Sequence, residues 1–326
     1  MPKDDIFEPL PSTSGPPLQS RLIMAPLIYP KNNICSELSL HDENVIRRCN
    51  AAGIALLMAC LLHVDFQDGM EGGETTFRNL QATAKFIDKN GGQSIVQLHQ
   101  KTLHPCTKPG ICSSTSYYGL AINGNQICFT EIQALRDRFL ELARQAHEAE
   151  FQGVEVNATS DSVFAQFLSP ILNKRADRYG GSLRNRSRLL FEIITDLRSA
   201  FPSQFRVALR LSIDWPGSSP REVREITTWI MQDEAVDYLE IAFGSADITS
   251  ESSVLQNHAA LWAIEDIHLY SIPLGCSGQI SSVKHVVSLL DSGWDFVMLG
   301  ESRKSLGSLG SLQNITTQHN HKLNER

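Results

Sequence analysis

The sequence predicts a single α/β domain of the (β/α)8 barrel class. Short apolar runs alternate along the chain with longer stretches whose apolar residues recur at helical spacing, which is typical of parallel strands joined by helices. With 42% apolar and 20% charged residues, the 326-residue chain can build a large core and lacks the composition of a disordered protein. We therefore expect one domain over residues 1–326, with the barrel over about 20–312 and a polar tail over 313–326.

The predicted strands are short apolar or alternating runs, each followed by a helical pattern. They begin near residues 22, 54, 94, 153, 206, 237, 272 and 295. Helical spacing predicts the connecting helices 40–52, 75–89, 131–151, 183–201, 220–233, 253–268 and 281–292. The segment 301–326 is polar and supports only a weak eighth helix. Eight strands with following helices argue for a parallel sheet closed into a barrel.

Local signals support several of these boundaries. Pro26 ends the first strand because proline cannot donate to a central ladder. Asn90 and the two glycines after it form a helix C-cap signal, and Thr130 forms an N-cap signal. The stretch 99–130 has no period, and a loop of this length in a compact enzyme is usually functional or a lid. Its pair Tyr117 and Tyr118 would cover the barrel mouth or simply pack.

The alternative architecture is a doubly wound open sheet. That fold calls for a glycine-rich phosphate loop after its first strand. Residues 26–30 contain two prolines and no glycine, so the barrel is favoured.

Composition and charge exclude several classes of partner. The formal net charge is -7 and no basic stripe is present, which argues against a nucleic-acid partner. The longest apolar run, 54–62, is far shorter than the roughly 20 residues that a bilayer requires. The acidic, proline-rich start does not resemble a targeting peptide. These features favour a small-molecule substrate and give no indication of oligomeric state.

The cysteines indicate a reducing compartment. Their number, seven, is odd, and no two form a C-x-x-C pair. This scatter argues against a disulfide framework and against a zinc ribbon, and no other metal site is indicated. We therefore expect a cytoplasmic protein. The cysteines are Cys35, Cys49, Cys60, Cys106, Cys112, Cys128 and Cys276.

Four segments resemble the old yellow enzyme family of flavin-dependent ene-reductases. They are residues 21–26, 95–98, the long block from Gln166 to Arg186, and 207–211. The resemblance covers roughly residues 6–300 and independently implies the barrel. In that family FMN lies at the C-terminal mouth of the barrel and passes hydride from NAD(P)H to an activated alkene.

The resemblance implies a set of cofactor-binding residues. Gln97 and Arg210 are retained where the family contacts the flavin pyrimidine ring, and Cys60 aligns near the flavin. The full implied set is Pro26, Cys60, Gln97, Arg210, Gly278 and Gly300. At the phosphate end, however, Gln279 replaces a glycine that allows close approach, and Glu301 replaces an arginine that pairs with the phosphate. The sequence therefore predicts weak FMN binding or none, and NAD(P)H is needed only by a reductase.

The substrate-binding residues of the family have also been replaced. The two positions that hold the substrate carbonyl are Asn157 and Ser160, and the position of the tyrosine that protonates the alkene is Ser162. Asn157 retains a hydrogen-bond donor for an oxyanion. A serine hydroxyl is a poor general acid in place of a phenol, because its pKa lies far from the operating pH.

Other residues near strand ends have two interpretations each. Arg210 contacts a flavin or oxyanion, or forms a buried ion pair with Glu155, Asp214 or Glu240. His99 would transfer a proton at the barrel mouth in one interpretation, and in the other it is a solvated loop residue. Asp161 and Asp214 follow the fourth and fifth predicted strands, at the C-terminal face where barrel active sites lie, which would make them proton-transfer groups. The alternative is that they are helix caps or loop carboxylates.

Three functions are compatible with these residues. The first is a redox-neutral isomerase or epimerase acting on a carbonyl-activated small molecule in fungal secondary metabolism. Asn157, Ser160 and Arg210 would contact the substrate, and His99, Asp161 or Asp214 would transfer the proton. The second is an FMN-dependent NAD(P)H ene-reductase. The third is a catalytically inactive barrel that binds a ligand.

Overall fold

The fold is that of an α/β barrel, seen in a computed structural model of the chain. The structure describes residues 6–11, 17–25, 37–54, 56–63, 73–100, 121–122, 125–243, 271–278, 280 and 282–300.

The strands are short, and most are followed by a helix. In chain order they are β1 (Leu22–Met24), β2 (Leu56–His63), β3 (Gln93–His99), β4 (Ala121–Ile122), β5 (Asn125–Gln126), β6 (Gly153–Ala158), β7 (Arg206–Ser212), β8 (Leu239–Ala242), β9 (Leu274–Ser277) and β10 (Phe296–Leu299). All except β4 and β5 pair in parallel and close into a barrel in the order β1-β2-β3-β6-β7-β8-β9-β10. The exceptions, β4 and β5, pair with each other as a small antiparallel hairpin.

The helices connect successive strands. Those in the described ranges are α1 (Leu40–Ala51), α2 (Gly73–Lys89), α3 (Phe129–Glu148), α4 (Val163–Leu168), α5 (Leu183–Arg186), α6 (Arg188–Ala200), α7 (Pro220–Gln232) and α8 (Val283–Asp291). Within these ranges, no helix combines the length and the apolar character needed to cross a bilayer.

The predicted α/β TIM-type barrel is confirmed, with small boundary corrections. Strands expected from 54, 237, 272 and 295 begin one or two residues later. The helix expected over 131–151 begins and ends earlier, because Cys128 forms its N-cap with Glu131 and Glu150 adopts a positive φ of 70° just beyond its end. The expected helix 253–268 and the weak helix after 301 lie outside the described residues, so the repeat of eight strand-and-helix units remains a prediction.

The sheet separates two apolar cores. The larger core lies between the strands and the helices and includes Val96 and Leu98 of β3. The smaller core fills the barrel lumen and contains Leu18, Ile23, Ala25, Ile95, Ala208, Tyr238, Phe296 and Met298. Side chains alternate between the two faces of a strand, so Gln97 and His99 follow Ile95 on the lumen face. Gly275 belongs to this packing, because a Cβ there would overlap the Phe296 ring.

The block that resembles the old yellow enzyme family is a densely hydrogen-bonded loop around α4 and α5. The Asn173 amide donates to the carbonyls of Phe167 and Tyr179, both at 2.7 Å. The guanidinium of Arg175 binds the Ile127 carbonyl and the Asp177 carboxylate. The polar groups of this block are thus hydrogen-bonded within the protein, so the block stabilises the loop that follows β6.

Candidate active site at the barrel mouth

Strand register brings polar side chains together in the upper lumen. Asn157 of β6 pairs in register with Arg210 of β7, which pairs with Glu240 of β8. Gln97 of β3 pairs with Glu155 of β6. Residues in register on parallel strands point to the same face, so these five side chains share the lumen. Asn157 and Arg210 lie near the C-terminal ends of β6 and β7, the end of the barrel where enzymes of this fold place their sites.

A hydrogen-bonded chain joins β3, β6 and the residue just before β8. Gln97 Nε2 donates to Glu155 Oε1 at 2.6 Å, and the Tyr238 hydroxyl donates to Glu155 Oε2 at 3.1 Å. Asn157 Nδ2 donates to Gln97 Oε1 at 2.9 Å. Glu155 is fully buried, so this network satisfies a carboxyl group that would otherwise be costly to bury.

Asn157 is largely committed to this network. Its Oδ1 accepts from the Thr159 backbone N–H at 3.0 Å and from the Thr159 hydroxyl at 2.6 Å. One of its two amide N–H groups is used by Gln97. A single N–H is left for a ligand oxygen, so the oxyanion role expected for Asn157 is limited to one hydrogen bond.

Arg210 forms an ion pair with Glu240, one of the three carboxylates considered for it. Its Nε lies 3.5 Å from Glu240 Oε1, and its Nη2 donates to Ser277 Oγ at a long 3.4 Å. Nη1 lies 3.9 Å from the Met298 sulfur. The Arg210 side chain is 22% exposed, whereas Glu240 is completely buried. The arginine therefore combines a buried anchor with donors that reach the mouth.

The two buried carboxyl groups have perturbed pKa values. Burial, and then the nearby charge of Glu240, raises the pKa of Glu155 to about 8, against the opposing charge of Arg210. Burial also raises the pKa of Glu240, where Arg210 opposes the shift most. Two carboxylates this close to one arginine cannot both ionise without cost. Burial therefore favours the protonated form of both carboxyl groups, Arg210 opposes this at each of them, and Glu155 with its pKa of about 8 is largely protonated near neutral pH.

His99 and Asp161 form a second polar pair at the mouth. His99 ends β3, is 3% exposed, and places its Nε2 3.5 Å from Asp161 Oδ1. The expectation that His99 is a solvated loop residue is wrong, because the strand extends through it and its lumen-facing position buries the ring. The contact with His99 is the largest cause of a lowered Asp161 pKa, and the Thr159 hydroxyl contributes through a 2.8 Å hydrogen bond. Asp161 is thus an anion held beside a buried imidazole.

The remaining predicted catalytic residues differ in their placement. Asp214 lies just beyond β7 at the rim, where the Ser212 hydroxyl donates to its carboxylate. Ser160 is exposed in the turn after β6, and no hydrogen bond within the described ranges joins its side chain to the lumen network. Ser162, at the position of the family's proton donor, is the N-cap of α4 and accepts the Ala165 backbone N–H at 3.3 Å. Of the residues that the sequence placed at strand ends, Gln97, Asn157 and Arg210 thus lie in the lumen, Asp214 lies at the rim and Ser160 lies outside.

The predicted cofactor residues are only partly described. Gly278 and Gly300 follow β9 and β10, and a Cβ at Gly300 would meet nothing within 4 Å. The backbone of Cys60 lies in β2 in register with Val96. Pro26, Gln279 and Glu301 lie outside the described residues, so the altered phosphate end stays a prediction.

The described residues fit the pyrimidine end of a flavin. That ring presents carbonyl oxygens, which accept hydrogen bonds from a guanidinium, and the partly exposed Arg210 carries such donors in the lumen. Gln97 is less available than the resemblance implies, because both ends of its amide already have protein partners.

Comparison with known proteins identifies the family. The model of the NADH:flavin oxidoreductase / NADH oxidase family matches residues 5–259. The chain belongs to this family. The resemblance to old yellow enzymes is thereby confirmed, and with it a flavin-oxidoreductase scaffold, which supports oxidoreductase activity.

Relatives of this flavin-oxidoreductase family member span bacteria and fungi. A probable NADH-dependent flavin oxidoreductase of Bacillus subtilis, YqiG, is 24% identical over 312 residues, covering 90% of this chain and 84% of the relative. The NADH-dependent flavin oxidoreductase iccE of Talaromyces variabilis is 34% identical over 122 residues, covering 37% of this chain and 30% of the relative.

Solved structures of the family share the fold. Morphinone reductase in complex with tetrahydroNAD superposes with a TM-score of 0.69 at 18% identity, covering 93% of this chain and 91% of that chain. The old yellow enzyme homologue of Zymomonas mobilis superposes with a TM-score of 0.66 at 19% identity, covering 91% of this chain and 88% of that chain.

Sequence reasoning missed the role of the paired buried glutamates. The pattern suggested Glu155 and Glu240 only as partners of Arg210, although a charged residue in the middle of an otherwise apolar strand is itself a signal of a buried polar site. Tyr238, which completes the Glu155 environment, gave no signal beyond its place in a predicted strand.

Proposed function

We propose that this flavin-oxidoreductase family member catalyses a redox-neutral isomerisation or epimerisation of a carbonyl-activated small molecule. The observation that carries the proposal is the His99–Asp161 pair at the mouth, with Nε2 and Oδ1 3.5 Å apart. An epimerase needs a base, a conjugate acid and a group that holds the oxyanion. The pair supplies the first two, and Arg210 with the remaining N–H of Asn157 supplies the third.

In this mechanism the His99 imidazole removes a proton from the carbon next to the carbonyl. Asp161 stabilises the imidazolium that forms and fixes the ring with Nε2 toward the carboxylate, so the transferred proton is carried at Nδ1. The oxyanion is stabilised by Arg210, and the imidazolium then returns the proton on the same face to a different carbon, which gives isomerisation. Epimerisation requires an acid on the opposite face, and Asp214 at the rim, after taking a proton from solvent, is the candidate for that delivery.

The state of Ser162 supports a proton-transfer function over alkene reduction. A reductase of this family needs an acid at this position, and here the serine hydroxyl caps α4. The setting that we propose is fungal secondary metabolism, supported by the fungal origin of relatives such as those of Talaromyces variabilis and Neonectria.

The second candidate is an FMN-dependent NAD(P)H ene-reductase. Family membership and the donors of Arg210 at the mouth favour it. FMN, when bound, would supply hydride transfer to an activated alkene, with Arg210 and Gln97 holding its pyrimidine edge and Gly278 and Gly300 near its phosphate.

The test is deuterium incorporation from D2O into a panel of enolisable ketones, with and without NAD(P)H and with flavin content measured by absorbance. We expect exchange without NAD(P)H, a loss of at least about 100-fold in His99→Gln, and a smaller loss in Asp161→Asn. His147→Gln is the matched control, because that ring packs on Phe201 and Phe205 away from the mouth. Strict dependence on NAD(P)H, or full exchange in His99→Gln, would overturn the proposal, and no turnover at all would favour an inactive binding barrel.

A further inference from the structure

The turn that follows β6 brings Asp161 to the end of β3. A backbone hydrogen bond of 2.9 Å closes the turn 159–162, with Asp161 inside it. Just beyond the turn, the Val163 N–H donates to the Gln100 carbonyl, also at 2.9 Å. Because Gln100 directly follows His99, these backbone bonds place Asp161 next to the imidazole.

The backbone alone does not fix the Asp161 carboxylate. Its side chain is 68% exposed, and its Oδ1 lies 3.5 Å from His99 Nε2, at the long limit of a hydrogen bond. An exposed ion pair of this length contributes little, because water competes for the carboxylate and the side chain is free to rotate. A further contact is therefore needed to hold Oδ1 against the ring.

The Thr159 hydroxyl supplies that contact. Its Oγ1 lies 2.8 Å from Asp161 Oδ1 and 2.6 Å from Asn157 Oδ1. A hydroxyl carries one hydrogen, so it donates to only one of the two oxygens at a time. Asn157 Oδ1 keeps the backbone N–H of Thr159, at 3.0 Å, in either case. The charged carboxylate is the stronger acceptor, so the hydrogen favours Asp161.

Thr159 is itself held by the lumen network. Its backbone N–H can only donate, so the Asn157 amide must turn its Oδ1 toward it. The other end of that amide, Nδ2, then donates to Gln97 Oε1 at 2.9 Å. Asn157 is buried, so the turn residue Thr159 is anchored to a side chain with a single orientation.

We propose that Thr159 is a positioning residue whose hydroxyl holds the Asp161 carboxylate against His99 and thereby selects the ring tautomer with hydrogen on Nε2. This inference rests on the proposed function, in which the His99–Asp161 pair transfers the proton. A carboxylate only accepts hydrogen bonds, so a carboxylate fixed beside Nε2 keeps the hydrogen there and makes Nδ1 the basic nitrogen.

The experiment reads the tautomer of His99 directly, without a substrate. In protein labelled with ¹⁵N-histidine the two ring nitrogens give separate signals, and the signals missing from His99→Gln assign this ring. With the ring neutral, we expect wild type to carry its hydrogen on Nε2 and Thr159→Val to raise the ratio of Nδ1–H to Nε2–H by at least about fivefold. Thr159→Ser retains a hydroxyl and should stay within about twofold of wild type. The backbone N–H that contacts Asn157 is present in every variant.

Deuterium exchange tests the same contact during turnover. Thr159→Val should lower kcat by about tenfold with little change in KM, because the hydroxyl acts on the base and does not touch the substrate. Thr159→Ser should restore the rate. In an Asp161→Asn background, Thr159→Val should change kcat by less than about twofold, because Thr159 acts through that carboxylate.

Thr195→Val is the matched control. This exposed threonine donates its hydroxyl to the Phe191 carbonyl at 2.8 Å within α6, so tautomer ratio and kcat should stay within about twofold of wild type. A wild-type tautomer ratio in Thr159→Val overturns the proposal, as do equal changes in Thr159→Val and Thr159→Ser, or hydrogen on Nδ1 in wild type. If Thr159→Val does not fold, Thr159→Ala is judged by the same criteria. A wild type that exchanges no ketone refutes the proposed function, whereas the tautomer ratio still decides the role of Thr159.

Discussion

The buried arginines that follow β6 and the partly exposed Arg210 of the lumen are used in different ways. Arg186, the last residue of α5, donates to the carbonyls of Gly181 and Leu168 and to the Glu222 carboxylate, and Arg175 is bound as closely to Ile127 and Asp177. Arg210, in the lumen, makes long contacts with Glu240, Ser277 and Met298 and is 22% exposed.

The difference shows which motif residues carry function. An arginine whose donors are used by backbone carbonyls fixes a loop, since its removal leaves buried groups without partners. Arg210, which pairs with Glu240 and is partly exposed at the mouth, is the arginine that we propose to contact a ligand. The long signature block therefore identifies the fold, whereas the few residues at the strand ends decide the chemistry.

The largest loss of stability should come from Arg186→Met. The substitution leaves the Leu168 carbonyl and the Glu222 carboxylate without their donor, so we expect the free energy of unfolding in urea to fall by about 3–5 kcal/mol. Arg221→Met, which removes an 84% exposed arginine from a surface pair, is the control and should cost less than about 0.5 kcal/mol. Equal effects of the two would mean that the loop network contributes little.

Glu155→Gln should change how stability depends on pH. The folded state holds the Glu155 proton up to a pKa of about 8, whereas the unfolded chain releases it near 4.5. The stabilisation is fully present below the lower value and is lost as pH rises toward the higher one, because the unfolded state binds fewer protons in that window. Wild type should therefore lose up to about 1.4 kcal/mol per pH unit relative to the variant. Parallel plots of unfolding free energy against pH for the two proteins, from about pH 5 to 8, would contradict a protonated Glu155.

Ser162→Ala tests the helix-cap assignment. Loss of the hydroxyl that accepts the Ala165 N–H should cost about 1 kcal/mol of unfolding free energy. Ser219→Ala removes the equivalent cap of α7 and should cost a similar amount. Neither should change the rate of deuterium exchange per folded molecule. A selective loss of exchange in Ser162→Ala would restore that serine as a proton donor.

The smallest effect on stability should come from Arg210→Lys. The lysine keeps a positive charge near Glu240, and the Arg210 side chain is partly exposed, so the groups left by the guanidinium can be solvated. The free energy of unfolding should therefore fall by less than about 1 kcal/mol. A fall as large as that of Arg186→Met would show that Arg210 is a structural residue like those of the loop.

The sequence predicted the strands and most helices well, because apolar residues recur at one characteristic spacing in strands and at another in helices. It did not predict α4, whose six residues are all buried and therefore show no amphipathic period, or the β4–β5 hairpin within the stretch 99–130. The expected helix 183–201 divides at Ser187 into α5 and α6, a one-residue interruption that periodicity cannot register.

The sequence by itself determined the barrel class, the family and the identity of the side chains at each strand end, because periodicity and local motifs are properties of neighbouring residues. Only the tertiary structure decided which of those side chains meet. Register across β6, β7 and β8 placed Asn157, Arg210 and Glu240 in one layer, and the ends of β3 and β6 brought His99 to Asp161. Pairings between residues tens of positions apart depend on barrel closure and on burial, which also protonates Glu155, and neither is written in any local segment of the chain.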